Sequence, residues 1–146
     1  MKTEHLQHLT DHQLDQLMDI WLTGNLAAHT FVQGSYWHAQ APMVRAALQS
    51  AEIIVAMSDS NDQILGFIGL QRDYIAGIFV RETSQHQGIG TALLTVAKND
   101  HQHLQLNVYV ANHHAIAFYH ALGFQVAEQN IDSATGQSEY RLYWHR

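Results

Sequence analysis

Apolar residues recur at helical spacing through Leu14, Leu17, Met18 and Trp21, just after Thr10 and Gln13, whose separation has the form of a capping box. The pattern predicts a first helix over 11–28. A second helical stretch follows over 36–48, with Pro42 expected to kink it or break it into two short pieces. Segments 52–58 and 63–71 are apolar, rich in strand formers and joined by the turn-prone Asp59-Ser60-Asn61-Asp62, so they read as a hairpin. Segment 74–80 is the next strand, and Gly77 inside it marks a bulge or the close approach of a ligand. Residues 88–99 form a helix with Ile89, Leu93, Val96 and Ala97 on one face, after which Leu104, Leu106, Val108 and Val110 alternate with polar residues at strand period. A helix over 113–122 ends at Gly123, a good C-terminal cap. Two strands, 125–130 and 139–144, flank a turn at 132–136, and a weak strand opens the chain near 4–9. This order predicts one domain over 1–146 with a mixed sheet in an α/β (α+β layered) architecture.

Composition narrows the function. The 146 residues hold 47% hydrophobic and 14% charged side chains, enough for one packed core and little disorder. No apolar run approaches the stretch of about 20 residues that spans a bilayer, and Met1-Lys2-Thr3-Glu4-His5 does not lead into a secretory signal, so a cytoplasmic protein without a membrane partner is expected. The absence of cysteine excludes disulfides, thiolate metal sites and a cysteine-bound acyl intermediate. A net charge of −6 disfavours a nucleic-acid partner and suits a cationic small molecule. The twelve histidines raise the question of a metal. Neither His5, His8 and His12, nor the pairs His101 and His103 or His113 and His114, repeats a ligand spacing, and no carboxylate completes a set. No metal is expected.

Gln85-His86-Gln87-Gly88-Ile89-Gly90, running on to Thr91, lies between an apolar strand and an amphipathic helix. Helix N-termini leave N–H groups unpaired and carry positive partial charge, so a pyrophosphate can be held there without many lysines, and Gly88 and Gly90 let it approach the backbone. Two glycines before a helix are by themselves more often a plain loop. Here, however, Gln85-x-x-Gly88-x-Gly90 resembles the Q/R-x-x-G-x-G/A acetyl-CoA motif of the GNAT superfamily of N-acetyltransferases. The preceding Gly77-Ile78-Phe79-Val80 looks like that family's fourth strand, whose backbone pairs with the pantetheine arm. Downstream, 112–124 is similar to the family's N-x-x-A-i-x-F-Y-x-x-x-G-F segment. The likeness covers about 53–124 well, and His29-Thr30-Phe31-Val32 with Tyr36-Trp37 resembles the YiaC/YjaB-like branch, which is associated with acetylation of protein lysines.

The resemblance implies a GNAT-like, mostly antiparallel sheet with helices on both faces, and direct acetyl transfer from acetyl-CoA to a primary amine. It implies that Tyr119 is the general acid toward the departing thiolate, that Asn112 bonds the cosubstrate, and that 78–80 and 85–91 bind it. Asn112 is equally readable as a helix cap. Backbone amides at Gly77 and Ile78 are the oxyanion donors a bulged strand would aim. Tyr74 borders the acceptor, or simply packs at the strand edge. The base is missing: many relatives carry a glutamate on the fourth strand, 74–80 has none, and Asp73, His29, His38, Glu128 or water remain. His86 stands where relatives often have glycine. The competing reading is a non-catalytic acetyl-CoA-binding module, and both monomer and homodimer stay open.

Overall fold

Thr10 and Gln13 do close a reciprocal cap, each side chain accepting the other's backbone N–H at 3.1 and 2.9 Å. They start the first long helix of a computed structural model that describes residues 1–60 and 62–146; the turn residue Asn61 lies outside the described residues. The chain runs β1 (Lys2–Leu6), α1 (Asp11–Ala28), α2 (Gly34–Leu48), β2 (Glu52–Met57), β3 (Ile64–Gln71), β4 (Tyr74–Val80), α3 (Ile89–Asp100), β5 (His103–Tyr109), α4 (His113–Ala121), β6 (Gln125–Ile131) and β7 (Ser138–His145). A 3-10 turn, Glu82–Ser84, precedes α3.

Two expectations needed correction. The opening strand sits at Lys2–Leu6 and not at 4–9, because Lys2 to Leu6 pair in register with Met57 to Ile53. Pro42 does not break α2. It removes one helical N–H, but Trp37, Val44 and Leu48 bury against the core on either side of it and keep the helix whole.

The sheet order is β1-β2-β3-β4-β5-β7-β6, and among the described residues β4–β5 is the one parallel pair. Alternate residues of the same strands feed two cores. Ile54, Ile68, Leu104 and Leu106 pack with Leu93 of α3 and Tyr119 of α4, while Ile53, Val55 and Phe67 pack with Leu17 of α1 and Trp37 of α2. Helices on both faces explain why β2 is buried at five of its six positions and shows no polar alternation.

The decisive irregularity is between β4 and β5. They register only at Tyr74 and Gln105, and beyond that pair the strands part. On the other side of β4, Gly69 faces Gly77 and Leu70 faces Ile75, so Ala76 is the extra residue of a bulge one position before the predicted glycine. Gly77 itself is required by packing: a Cβ there would lie 2.4 Å from the Phe79 ring.

Candidate active site

The gap between β4 and β5 opens into a cleft of about 980 Å³ that reaches both sheet faces. Its walls include Ala76–Val80, the start of α3, the α4 residues Phe118 and Tyr119, and His29, Tyr109, Asp132 and Glu139. No Lys or Arg is among its described lining residues.

At one end lies the N-terminus of α3. Its first helical bond runs from the Ala92 N–H to the Gly88 carbonyl at 3.0 Å, so the amides of Ile89, Gly90 and Thr91 have no backbone acceptor. Gly88 caps the helix in a left-handed conformation, φ 80°, with open space where a side chain would stand. Free amides, a helix dipole and an unfilled Cβ position together fit a pyrophosphate. Gly90 differs from expectation: a Cβ there would meet the Phe118 ring at 3.2 Å, so its bareness serves the approach of α3 to α4 and only its amide faces the cradle. The Gln85 side chain donates to the Val80 carbonyl at 3.2 Å and braces the end of β4. His86 has φ 63°, the left-handed conformation that favours glycine, and its ring meets that of His114 edge-on. Gln87 does not line the cleft.

Tyr119 is buried and enters the cleft wall from α4. The helix ends on it: Phe124 N–H bonds the Tyr119 carbonyl, Gly123 N–H bonds that of His120, and Gly123 takes φ 93°. These two bonds are a Schellman cap, and the Phe124 ring packs on that of Tyr119 at 5.5 Å, which fixes the phenol's direction. Its hydroxyl has no hydrogen-bond partner among the described residues. Burial, with a smaller contribution from Tyr74, holds its pKa well above the ordinary phenol value, so it stays protonated. Burial likewise raises Tyr74, helped by the charge of Glu139.

Asn112 caps α4, its Oδ1 accepting from the Ala115 N–H at 3.2 Å. That fixes its Nδ2 as the atom facing His29 Nε2 at 3.2 Å. Likewise Asn25 Nδ2 donates to the Trp21 carbonyl, which leaves Asn25 Oδ1 to accept from His29 Nδ1 at 3.0 Å. Both neighbours therefore demand a neutral His29 with its proton on Nδ1. Burial pushes its pKa down to about 4, in agreement.

Comparison with known proteins decides the family. Residues 49–126 match the family described as Acetyltransferase (GNAT) domain. The chain is 34% identical over 134 residues to the peptidyl-lysine N-acetyltransferase YiaC of Escherichia coli, covering 90% of each, and 30% identical over 125 residues to YjaB of the same organism, covering 86% of this chain and 79% of YjaB. The chain belongs to the GNAT acetyltransferase family. The apo solution structure of E. coli YjaB shares the fold at TM-score 0.84 and 24% identity, covering 99% of this chain and 98% of that one. PaiA of Thermoplasma acidophilum, solved with coenzyme A, shares it at 0.77 and 18% over the whole of both chains. Membership makes this protein an acetyltransferase. The relatives' stated activities lend nothing to the non-catalytic alternative.

Of the bases the sequence offered to this GNAT enzyme, none stands free in the cleft. Asp73 pairs with His103 at 2.7 Å, Glu128 lies exposed on β6 beside Arg141, and His38 is exposed away from the cleft. His29 does line it, but its lone pair accepts from Asn112. Two carboxylates that sequence reasoning missed line the cleft instead. Asp132 accepts from the Tyr109 hydroxyl at 2.7 Å and from the Ala134 amide at 3.0 Å. The carboxylate of Glu139, opposite Tyr109 in the β5–β7 register, has no hydrogen bond or ion pair among the described residues. Burial raises its pKa, the Asp132 charge adds to this, and Arg141 opposes it. Their only sequence signal was acidity beside a strand and a turn. Away from the cleft, carboxylates do stand beside a histidine, contrary to expectation: His5 meets Asp100 at 3.2 Å and Glu52 at 3.6 Å, both too distant in sequence for spacing to reveal.

Proposed function

We propose that this enzyme acetylates lysine side chains of peptides or proteins. What supports the reading is the polarity of the cleft: a helix start with amides that lack backbone acceptors at its α3 end, and at the end on the other sheet face the carboxylates Asp132 and Glu139 beside Tyr109. A primary ammonium on a slender alkyl chain suits that second end. The peptidyl-lysine activity named for YiaC and YjaB points the same way. Bound along the free edge of β4, acetyl-CoA supplies an activated acyl carbon. The backbone of Ile78, Phe79 and Val80 would flank its extended arm, the Gly77 and Ile78 amides would face the developing oxyanion, and the amides of Gly88 to Thr91 would hold the pyrophosphate. Asn112, already engaged as cap, acts mainly by fixing the start of the helix that carries Tyr119. Tyr119 gives its proton to the sulfur. A cytoplasmic location is part of the proposal; no described helix is long and apolar enough to cross a membrane.

The test is a thiol-release screen with acetyl-CoA over a lysine peptide, a peptide with a free N-terminus only, a polyamine and an aminoglycoside, with mass spectrometry of the product. The lysine peptide should be preferred and acetylated on Nζ. Preference for any other class refutes the acceptor assignment. Tyr119→Phe keeps the ring and removes the acid, so kcat should fall by roughly 10² to 10⁴ with cosubstrate affinity unchanged. Near-normal turnover would reduce Tyr119 to packing.

A further inference from the structure

A lysine ammonium has a pKa near 10.4 and is almost wholly protonated at pH 7, so some group must take a proton before nitrogen can attack. That group must lie in the cleft, be free to accept, and stand on the side from which the acceptor enters. Asp132 lines the cleft, yet its carboxylate is tied down by a donor on each oxygen, Tyr109 on one and Ala134 on the other, and is not free to swing toward an entering ammonium. His29 must stay neutral and its free ring nitrogen is used. Glu139 remains. Tyr109, its partner across β5 and β7, packs with the α1–α2 core, so Glu139 shares that sheet face, while Tyr119 belongs to the opposite core. The parted strands are the passage between them.

We propose that Glu139 is the general base of this enzyme, receiving the proton of the acceptor ammonium across the gap from Tyr119. The inference rests on the amine-acetylation reading above. Glu139 removes one N–H proton, and the freed lone pair forms the C–N bond as the C–S bond breaks. The sulfur takes the Tyr119 proton, a second proton leaving the nitrogen restores Tyr119, and Glu139 releases its own to water. Ammonium and thioester thus become amide, thiol and one proton. The groups acting on Glu139 are Asp132, Tyr36 and Tyr74, which share its surroundings, and Arg141, whose charge favours the ionised form.

The experiment compares wild type, Glu139→Gln and Glu139→Asp, with Glu4→Gln on the far edge strand as a carboxylate control outside the cleft. Thiol release is followed from pH 6 to 10 with N-α-acetyl-lysine amide and saturating acetyl-CoA, and CoA affinity is measured by calorimetry on the same samples. Glu139→Gln should lose roughly 10² to 10⁴ in kcat at pH 7, bind CoA as wild type does, and gain about tenfold in rate per pH unit as free amine accumulates. Aspartate should restore part of the rate, and Glu4→Gln should match wild type. A Glu139→Gln kcat within about threefold of wild type, or a loss confined to KM, would overturn the base role, the latter marking a carboxylate that only anchors the ammonium. Wild type that binds CoA but acetylates no amine would overturn the reading of the cleft, and Glu139 with it.

Discussion

Lowering the pH should strike this fold first at His29. Its two asparagine partners are oriented by backbone groups, so protonating Nε2 would set a new N–H against the Asn112 NH₂ and lose that bond. The ring is also stacked on Trp37 at 5.3 Å and edged by Tyr109 at 5.1 Å, and among the described residues no carboxylate pairs with it to receive the charge. The drop from an ordinary imidazole value of 6.5 to about 4 corresponds to about 3 kcal/mol. Because the ring is only partly buried, screening reduces this to on the order of 1–2 kcal/mol. The sign follows from linkage: above pH 6.5 neither state is protonated, and between 6.5 and 4 the unfolded chain binds the proton while the folded chain does not. Stability therefore falls through that window and the loss is complete below about pH 4. The assay is urea unfolding at pH 7 and pH 5 for wild type and His29→Gln, together with an NMR titration of the imidazole. The substitution should remove on the order of 1 kcal/mol of the pH dependence, the other eleven histidines cancelling in the difference. An imidazole titrating near 6.5, or an unchanged pH slope, would refute the argument.

Two further changes probe the cradle loop. Gly88→Ala puts a Cβ into the open space at a left-handed residue, so it should cost about 1–2 kcal/mol of stability and weaken CoA binding at least tenfold by calorimetry; unchanged affinity would mean the anion lies elsewhere. His86→Gly relieves φ 63° and should leave the protein as stable or up to about 1 kcal/mol more so, and a clear fall in the melting temperature would show that the imidazole itself holds the loop.

The elements were legible because each carried a local signal: the Thr10–Gln13 cap, the alternation from Leu104 to Val108, and Gly123 at the end of α4. The glycine-rich turn and the helix start after it were legible for the same reason, since Gln85 to Thr91 are consecutive. The acceptor end was not. β7 follows β6 in the chain but inserts between β5 and β6, and only that crossover sets Glu139 opposite Tyr109. The His29–Asn112 bond joins residues 83 apart and no spacing rule reaches it. At Gly90 the expected reason for a glycine does not hold, because the missing side chain leaves room for Phe118.

The arrangement must also reconcile a polyanionic cosubstrate with a chain of net charge −6 and two carboxylates in the same cleft. With no described Lys or Arg lining it, attraction at the cradle comes from amides at hydrogen-bond range, a distance inside the Debye length at ordinary salt. Repulsion from the remaining charges acts over longer distances, where the Debye length falls from about 10 Å at 0.1 M to about 3 Å at 1 M. The two effects predict opposite salt responses at the two ends. Raising the salt from 0.05 to 0.5 M should leave CoA affinity flat or slightly tighter, while KM for a cationic lysine peptide rises as Asp132 and Glu139 lose their reach. Calorimetry and steady-state rates over that range test both at once. A tenfold or greater loss of CoA affinity would mean that side-chain cations hold the phosphates, and the reading of the cradle as a backbone site would fail.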